Sequence, residues 1–285
     1  MTQDSPLKPS AAILCLAALA GLVLAWAWMH YSPPLVDVFQ NYSIGRLATI
    51  YYVLVYLPVA LIALGLARVC GVLPLRAGPA MGRWTVISLM AGLGGLGLCA
   101  LLARINGGMA LAMQPAKAIG GLLALGLALT LFQVLVEELL FRGWLRLVLH
   151  RMIGARWSVI LAALAYAGFT MAGSGFAVLP LANLVLLALF LGLLAERSGG
   201  IAAPVAAHFG WTALEDLGLG LNPNPGTGPF GAFRDFDLLG APLWGGTEAG
   251  LAASIGMAAV LIAFCLPLLN ARKSAIPEAA HSFPE

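Results

Sequence analysis

Charged residues are scarce in this chain of 285 residues. Lys, Arg, Asp and Glu make up 9% of it, whereas an ordinary soluble domain carries roughly 25% charged residues. So few charges cannot cover the water-exposed surface of a globule of this size. The formal net charge of +3 is also too small to suggest a nucleic-acid partner, and we expect none.

Cysteine provides no metal-binding or redox motif. The four cysteines lie far apart in apolar runs, and none forms a CxxC pair. We interpret them as small apolar residues of helices, at positions Cys15, Cys70, Cys99 and Cys265.

Apolar residues make up 61% of the chain, and they fall into runs long enough to cross a bilayer. The runs predict one polytopic membrane domain over residues 1–285, an all-α bundle of about eight transmembrane helices. The fifth and seventh runs are the shortest or least apolar. The predicted spans are Ala11–Trp28, Leu47–Val69, Trp84–Ala103, Ala118–Phe141, Trp157–Ala172, Val178–Ala195, Gly199–Leu217 and Ala249–Leu269.

Basic residues are distributed unevenly between the two sides of this predicted bundle. Eleven fall on the side of both termini, and four fall on the other side. Since Lys and Arg collect in cytosolic loops, we predict that both termini are cytosolic, in the plasma (inner) membrane. The eleven are Lys8, Arg68, Arg76, Arg83, Arg142, Arg146, Arg151, Arg156, Arg197, Arg272 and Lys273, and the four are Arg46, Arg104, Lys117 and Arg234.

Two connections differ from the others. Residues 141–156 place Arg142, Arg146 and His150 four residues apart, which predicts a basic amphipathic helix at the cytosolic interface. Residues 218–248 are rich in Gly and Pro and predict an irregular loop on the non-cytosolic side.

Two adjacent glutamates end the fourth span, and helical spacing separates their environments. Glu138 and Arg142 are four residues apart in the favourable order, so they can neutralise each other. Glu137 points about 100° away and stacks on Gln133, without a local cation. A carboxylate left unpaired in a low-dielectric bundle is a candidate general base for activating water. The simpler interpretation is that both glutamates only mark the end of the helix.

His208 is the one histidine well inside a predicted span. Thr212 and Glu215 share its helical face. A hydrogen-bonded packing histidine is the alternative interpretation. If both spans are straight helices, Glu137 and His208 lie about 14 and about 17 Å from the basic flank at Arg146 and Arg197, so the two groups could meet.

These residues resemble the motifs of a known family. The run from Glu137 to Gly143 fits EExxxR of the CAAX-prenyl-protease and bacteriocin-processing (CPBP, or abortive-infection) intramembrane proteases. His208 looks like the start of that family's third motif, HxxxN. The resemblance covers a family-like core at residues 118–216. It implies eight membrane helices around a cytosol-facing polar cavity, in which a glutamate activates water.

By this resemblance Glu137 would be the base, Glu138 and Arg142 a supporting pair, and His208 the third-motif histidine. Three positions depart from the family pattern. The second motif, FxxxH, reads Tyr166 to Thr170, with Tyr for Phe and Thr for His, and the third motif ends in Thr212 in place of Asn. No shift of alignment restores the second motif, because no histidine lies between His150 and His208.

Three functions follow as alternatives. The first is a hydrolase, an intramembrane endopeptidase in which Glu137 activates water while His208, Thr170 and Thr212 stabilise the tetrahedral intermediate. The second is a catalytically degenerate family member that binds a membrane peptide or partner protein without cutting it; a transporter-like role is a third. The expected substrate is a membrane-embedded or prenylated peptide or protein. Threonine is a poor zinc ligand, so a standard metalloprotease-like site is not expected, and any zinc would be held by His208 and Glu137.

Overall fold

A computed structural model describes residues 9–113, 120–172 and 177–270. Eight α-helices form most of these ranges: α1 Ala11–Tyr31, α2 Ile44–Val69, α3 Met81–Ile105, α4 Gly120–Glu138, α5 Arg146–Met171, α6 Val178–Ser198, α7 Ala202–Thr212 and α8 Ile255–Asn270. Two π-helical segments follow α4 and α7, at Leu139–Leu145 and Ala213–Gly218. Short 3₁₀ helices lie at Pro33–Phe39, Pro242–Trp244 and Gly250–Ala253.

The helices confirm an all-α membrane protein in outline. Of the described residues, 76% are helical. Five helical stretches are long and apolar enough to cross a membrane, and α8 is a shorter apolar helix. The eight crossings and the cytosol-facing cavity stay predictions. The five stretches are Ala11–Phe39, Ile44–Val69, Met81–Ile105, Gly120–Met171 and Val178–Ser198. Residues Ala118, Lys8, Lys117, Arg272 and Lys273, used in the sequence predictions, lie outside the described residues.

The prediction of an amphipathic interface helix over residues 141–156 was wrong. Arg142 and Arg146 are buried, with 1% and 3% of their surface exposed. Arg146 donates to Glu196 on α6 at 2.8 Å. The chain turns at Gly154, where a φ of 80° needs glycine, and α5 then continues to Met171. Both arginines point into the bundle because each forms an ion pair with a carboxylate there.

The connections between helices separate into two groups that lie at opposite ends. At one end, Ile201 donates its backbone N–H to Arg76, Arg151 donates to the carbonyls of Cys70 and Gly71, and Arg197 donates to carbonyls at the end of α8. At the other end, the strands β1 (Met109–Leu111) and β2 (Phe236–Leu238) pair antiparallel. This small sheet ties the third connection to the 218–248 loop.

Close backbone contact fixes α7 against α3. A Cβ atom on Gly92 would overlap the backbone carbonyl oxygen of Ala207, and one on Gly210 would lie 2.9 Å from the carbonyl oxygen of Leu89. Small residues at helix crossings allow this approach inside a membrane. The helix that carries His208 is therefore positioned by α3, an element outside the family-like core.

Candidate active site

The first π-helical segment shapes the centre of the site. α4 ends at Glu138, and the seven residues Leu139–Leu145 continue it with a wider turn before α5 begins. All seven are buried. A π-helical turn within an α-helix is often found at functional sites. Here it lies directly beside the two glutamates and includes Arg142.

Glu137 is the more accessible of the two carboxylates, with 16% of its side chain exposed. Gln133, one turn earlier on α4, donates its amide to Oε1 at 2.9 Å. The hydroxyl of Tyr166 on α5 donates to Oε2 at 3.3 Å. No lysine or arginine among the described residues forms an ion pair with Glu137. The predicted contact with Gln133 is therefore present, and both oxygens have a neutral donor.

Glu138 is fully buried and forms the structural centre of the cluster. Its Oε1 accepts from Arg142 Nη1 at 2.9 Å, as the spacing of four residues predicted. The same oxygen lies 2.9 Å from His208 Nδ1. Its Oε2 is buried without a hydrogen-bond partner within the described part of the chain. Arg142 also donates to the carbonyl of Ala188, which connects the cluster to α6.

His208 bridges the two glutamates. Nδ1 faces Glu138, and Nε2 lies 3.9 Å from Glu137 Oε2. The side chain is 7% exposed. The expectation that Glu137 and His208 meet across the bundle is confirmed by this distance.

Tyr166 is the site residue that the sequence analysis missed. It is buried, its hydroxyl reaches Glu137, and its ring lies 4.7 Å from the Arg142 guanidinium and edge-on to His208 at 6.2 Å. The available signal was the tyrosine at the phenylalanine position of the second motif. This substitution adds a hydroxyl group that phenylalanine lacks.

The two threonines form no hydrogen bond with the glutamates, the arginine or the histidine. Thr170 is exposed, and its hydroxyl donates to the carbonyl of Tyr166 within α5. Thr212 is half-buried at the end of α7, one turn after His208. Glu215 is half-buried in the second π-helical segment. The structure thus brings together Glu137, Glu138, Arg142 and His208, and places these three residues outside their hydrogen bonds.

The donor set does not fit a zinc site. His208 Nδ1 and Glu138 Oε1 face each other, and that oxygen also accepts from Arg142. Within residues 9–113, 120–172 and 177–270, no group of three His, Cys, Asp or Glu side chains is arranged to hold a metal ion. A catalytic zinc needs about three protein ligands. The described side chains therefore do not make up a catalytic zinc site.

The fold and this cluster define a class: a multi-pass helical membrane protein with two glutamates, an arginine and a histidine clustered between its helices. Residues 119–214 match the family model of Type II CAAX prenyl endopeptidase Rce1-like proteins. The match contains Glu137, Glu138, Arg142, Tyr166 and His208, and it supports the predicted resemblance of this part of the chain to the CPBP family. Among curated proteins, none matches the chain.

Proposed function

We propose that the protein is an intramembrane endopeptidase of the CAAX-protease-like type, in which Glu137 activates a water molecule. The observation that carries the proposal is the meeting of Glu137, Glu138 and His208 inside an apolar bundle. Ionisable groups at membrane depth are costly, so a cluster of them points to function. The match over residues 119–214 supports this reaction class.

The gap between Glu137 and His208 has the size that a reacting water needs. At 3.9 Å, His208 Nε2 and Glu137 Oε2 are too far apart for a direct hydrogen bond. One water can contact both groups across such a distance. Glu137 is also the more exposed glutamate, so a substrate can approach it.

Charge balance supports a donor role for His208. With His208 protonated, the cluster contains two carboxylates, one guanidinium and one imidazolium, so its charges sum to zero. A neutral group of paired charges is less costly to bury than one with excess charge. Nδ1–H then donates to Glu138, and Nε2–H is free to donate to the substrate side.

The reaction follows from these positions. Glu137 takes a proton from water, and the hydroxide oxygen bonds to the carbonyl carbon of the scissile peptide. His208 Nε2–H and the Tyr166 hydroxyl donate to the oxyanion that forms. When the intermediate collapses, the C–N bond breaks and the proton held by Glu137 passes to the leaving amine. The products are a carboxylic acid and an amine, and the site returns to its starting state.

We also propose how the protein is oriented in the membrane and what type of substrate it cleaves. The substrate is a membrane-embedded or prenylated peptide that reaches a polar cavity from the cytosolic side. Eight helices cross the inner membrane around this cavity, and both termini are cytosolic. The contacts that group the even-numbered connections at one end support an alternating path of this kind.

A second candidate function is peptide binding without cleavage. Thr170, which stands where the family's second motif has histidine, is exposed and bonds to its own helix. A degenerate member would keep the polar cluster to orient a membrane peptide or partner protein. Cleavage assays separate the two functions.

The deciding experiment uses purified protein in lipid nanodiscs with a fluorescence-quenched prenylated peptide. Glu137→Gln keeps the shape of the side chain and removes the base, so cleavage should fall by about 100-fold or more while the protein stays folded. Glu248→Gln, at an exposed position in the 218–248 loop, is the matched control and should cleave normally. Cleavage that survives Glu137→Gln would refute the mechanism. Binding of the peptide without any cleavage by the unaltered protein would favour the second function.

A zinc chelator should leave cleavage unchanged, because the described side chains do not form a zinc site. The measurement is the cleavage rate before and after chelation, with the metal content of the purified protein determined in parallel. Loss of activity on chelation, regained with zinc, would contradict the metal-independent chemistry.

A further inference from the structure

A cavity lies on the opposite side of α6 from the glutamate cluster. Its volume is about 470 Å³, within the range of small-molecule and lipid sites. Ala188 faces Arg142 in the cluster, whereas Leu186, Leu189 and Leu193 of the same helix line this cavity. α5 and α8 form its two walls.

The apolar part of this cavity opens to the outer surface of the helices. Ile262, Leu266 and Leu269 of α8 line it and are 48–59% exposed. Along α6 it extends from Leu186 to Arg197, about 16 Å at the rise of an α-helix. That length is close to one leaflet, half of a hydrocarbon core of about 30 Å. The dimensions fit an acyl chain lying along the helices.

The charged residues of the cavity all lie at one end. They are Arg156, Glu196 and Arg197. Glu196 is already neutralised, because Arg146 donates to it at 2.8 Å. Two positive charges therefore remain at the mouth of the cavity.

Neither of these two arginines has a carboxylate partner within the described part of the chain. Arg156 is exposed, and its guanidinium lies 5.9 Å from the Trp157 ring. Arg197 donates to the carbonyls of Leu268 and Leu269, and its Nη1 is buried without a hydrogen-bond partner. An anionic group at the mouth would supply the missing negative charge.

We propose that this cavity is a binding site for an anionic phospholipid, with one acyl chain along α6 and the phosphate at Arg156 and Arg197. Basic pockets between membrane helices favour anionic headgroups in this way. A neutral isoprenoid would fill the apolar part but would leave both arginines without a counter-charge. The site is separate from the glutamate cluster, so lipid binding does not depend on cleavage.

Native mass spectrometry of the detergent-purified protein, titrated with dioleoyl phosphatidylglycerol, tests the proposal. Dioleoyl phosphatidylcholine and farnesol serve as the zwitterionic and the neutral isoprenoid probes. Arg156→Gln should weaken phosphatidylglycerol binding by about fivefold, and Arg156→Gln with Arg197→Gln by about 20-fold or more. The single variant alters an exposed residue, so its result stands even if the loss of Arg197 loosens α8.

Three further variants complete the test. Arg83→Gln removes an exposed arginine outside the cavity and should bind phosphatidylglycerol normally. Leu266→Trp narrows the groove at an exposed position and should weaken binding without unfolding the protein. Glu137→Gln should not alter lipid binding. Three outcomes would overturn the proposal. They are equal phosphatidylglycerol binding by Arg156→Gln and Arg83→Gln, equal affinity of the protein for phosphatidylcholine, and displacement of phosphatidylglycerol by farnesol that does not depend on either arginine.

Discussion

Tyr166 contacts the base, the arginine and the histidine of the candidate site. Its hydroxyl can donate to Glu137 before substrate binds and to an oxyanion afterwards. Tyr166→Phe removes this donor and keeps the ring. We expect the cleavage rate to fall by about tenfold, the value of one lost hydrogen bond to a charged group.

The matched control for Tyr166→Phe is Tyr42→Phe, at an exposed position outside the cluster, which should cleave normally. The measurement is kcat together with KM for the prenylated peptide. Since the hydroxyl acts on the developing charge, the loss should be in kcat. A change confined to KM would show that Tyr166 only shapes the binding surface.

The pair of Glu138 and Arg142 supports a second prediction at the residue scale. Both are buried, so removing either one leaves an uncompensated charge and should cost about 3–5 kcal/mol of stability. Glu138→Gln with Arg142→Met should cost less than the sum of the two single changes. The measurement is thermal unfolding in detergent. Glu138→Gln with the remote change Arg83→Met is the control, and its effects should add; additive effects for the buried pair would mean that the two charges do not interact.

The sequence predicts contacts within one helix much better than contacts between helices. Spacing of four residues was enough to pair Glu138 with Arg142 and Gln133 with Glu137, because both partners turn with the same helix. Arg146 meets Glu196 fifty positions later, and that contact depends on how α5 and α6 are rotated against each other. Charge spacing alone therefore assigned Arg146 to the membrane surface.

At the scale of elements, the π-helical segment after α4 was not predicted. Its sequence, from Leu139 to Leu145, is apolar except for Arg142 and has no proline to signal irregularity. A wider turn changes which residues face the bundle, and here all seven are buried. The packing of the surrounding helices decides such a turn, and a hydropathy pattern does not contain that information.

The contact between α3 and α7 gives a prediction for Gly92. A methyl group there would overlap the Ala207 carbonyl oxygen, next to His208. Gly92→Ala should therefore push α7 outward, cost about 1–3 kcal/mol of stability and reduce cleavage. Gly97→Ala, on the same helix, adds its methyl group to open space and should be neutral or slightly stabilising.

Thermal unfolding and cleavage rates of the two glycine variants measure this effect. If α3 positions the histidine, only Gly92→Ala should lose activity in the fraction that remains folded. Equal behaviour of the two variants would mean that the helix contact has no role in placing His208.

At the scale of the whole molecule, hydropathy predicted where the helices lie along the chain. The number of helices that cross the membrane stays a prediction. The weak seventh span corresponds to α7 and the second π-helical segment, and neither is among the five stretches that qualify as spans. These residues carry His208 and pack on α3, so their environment is protein more than lipid. A buried helix of this kind needs fewer apolar residues, which weakens its hydropathy signal.

The last prediction concerns the orientation of the bundle. Arg142 and Arg146 are buried and cannot act as loop charges, so the count of eleven becomes nine against four. The bias still predicts that the end holding Met81 is cytosolic and that the loop holding Pro229 is outside.

Single cysteines at these two exposed positions test the orientation by labelling intact cells with a membrane-impermeant maleimide. Cys70, Cys99 and Cys265 are buried, and Cys15 lies within α1, so background labelling should be low. Pro229→Cys should be labelled in intact cells, and Met81→Cys only after the membrane is opened. The reverse pattern would place the termini outside.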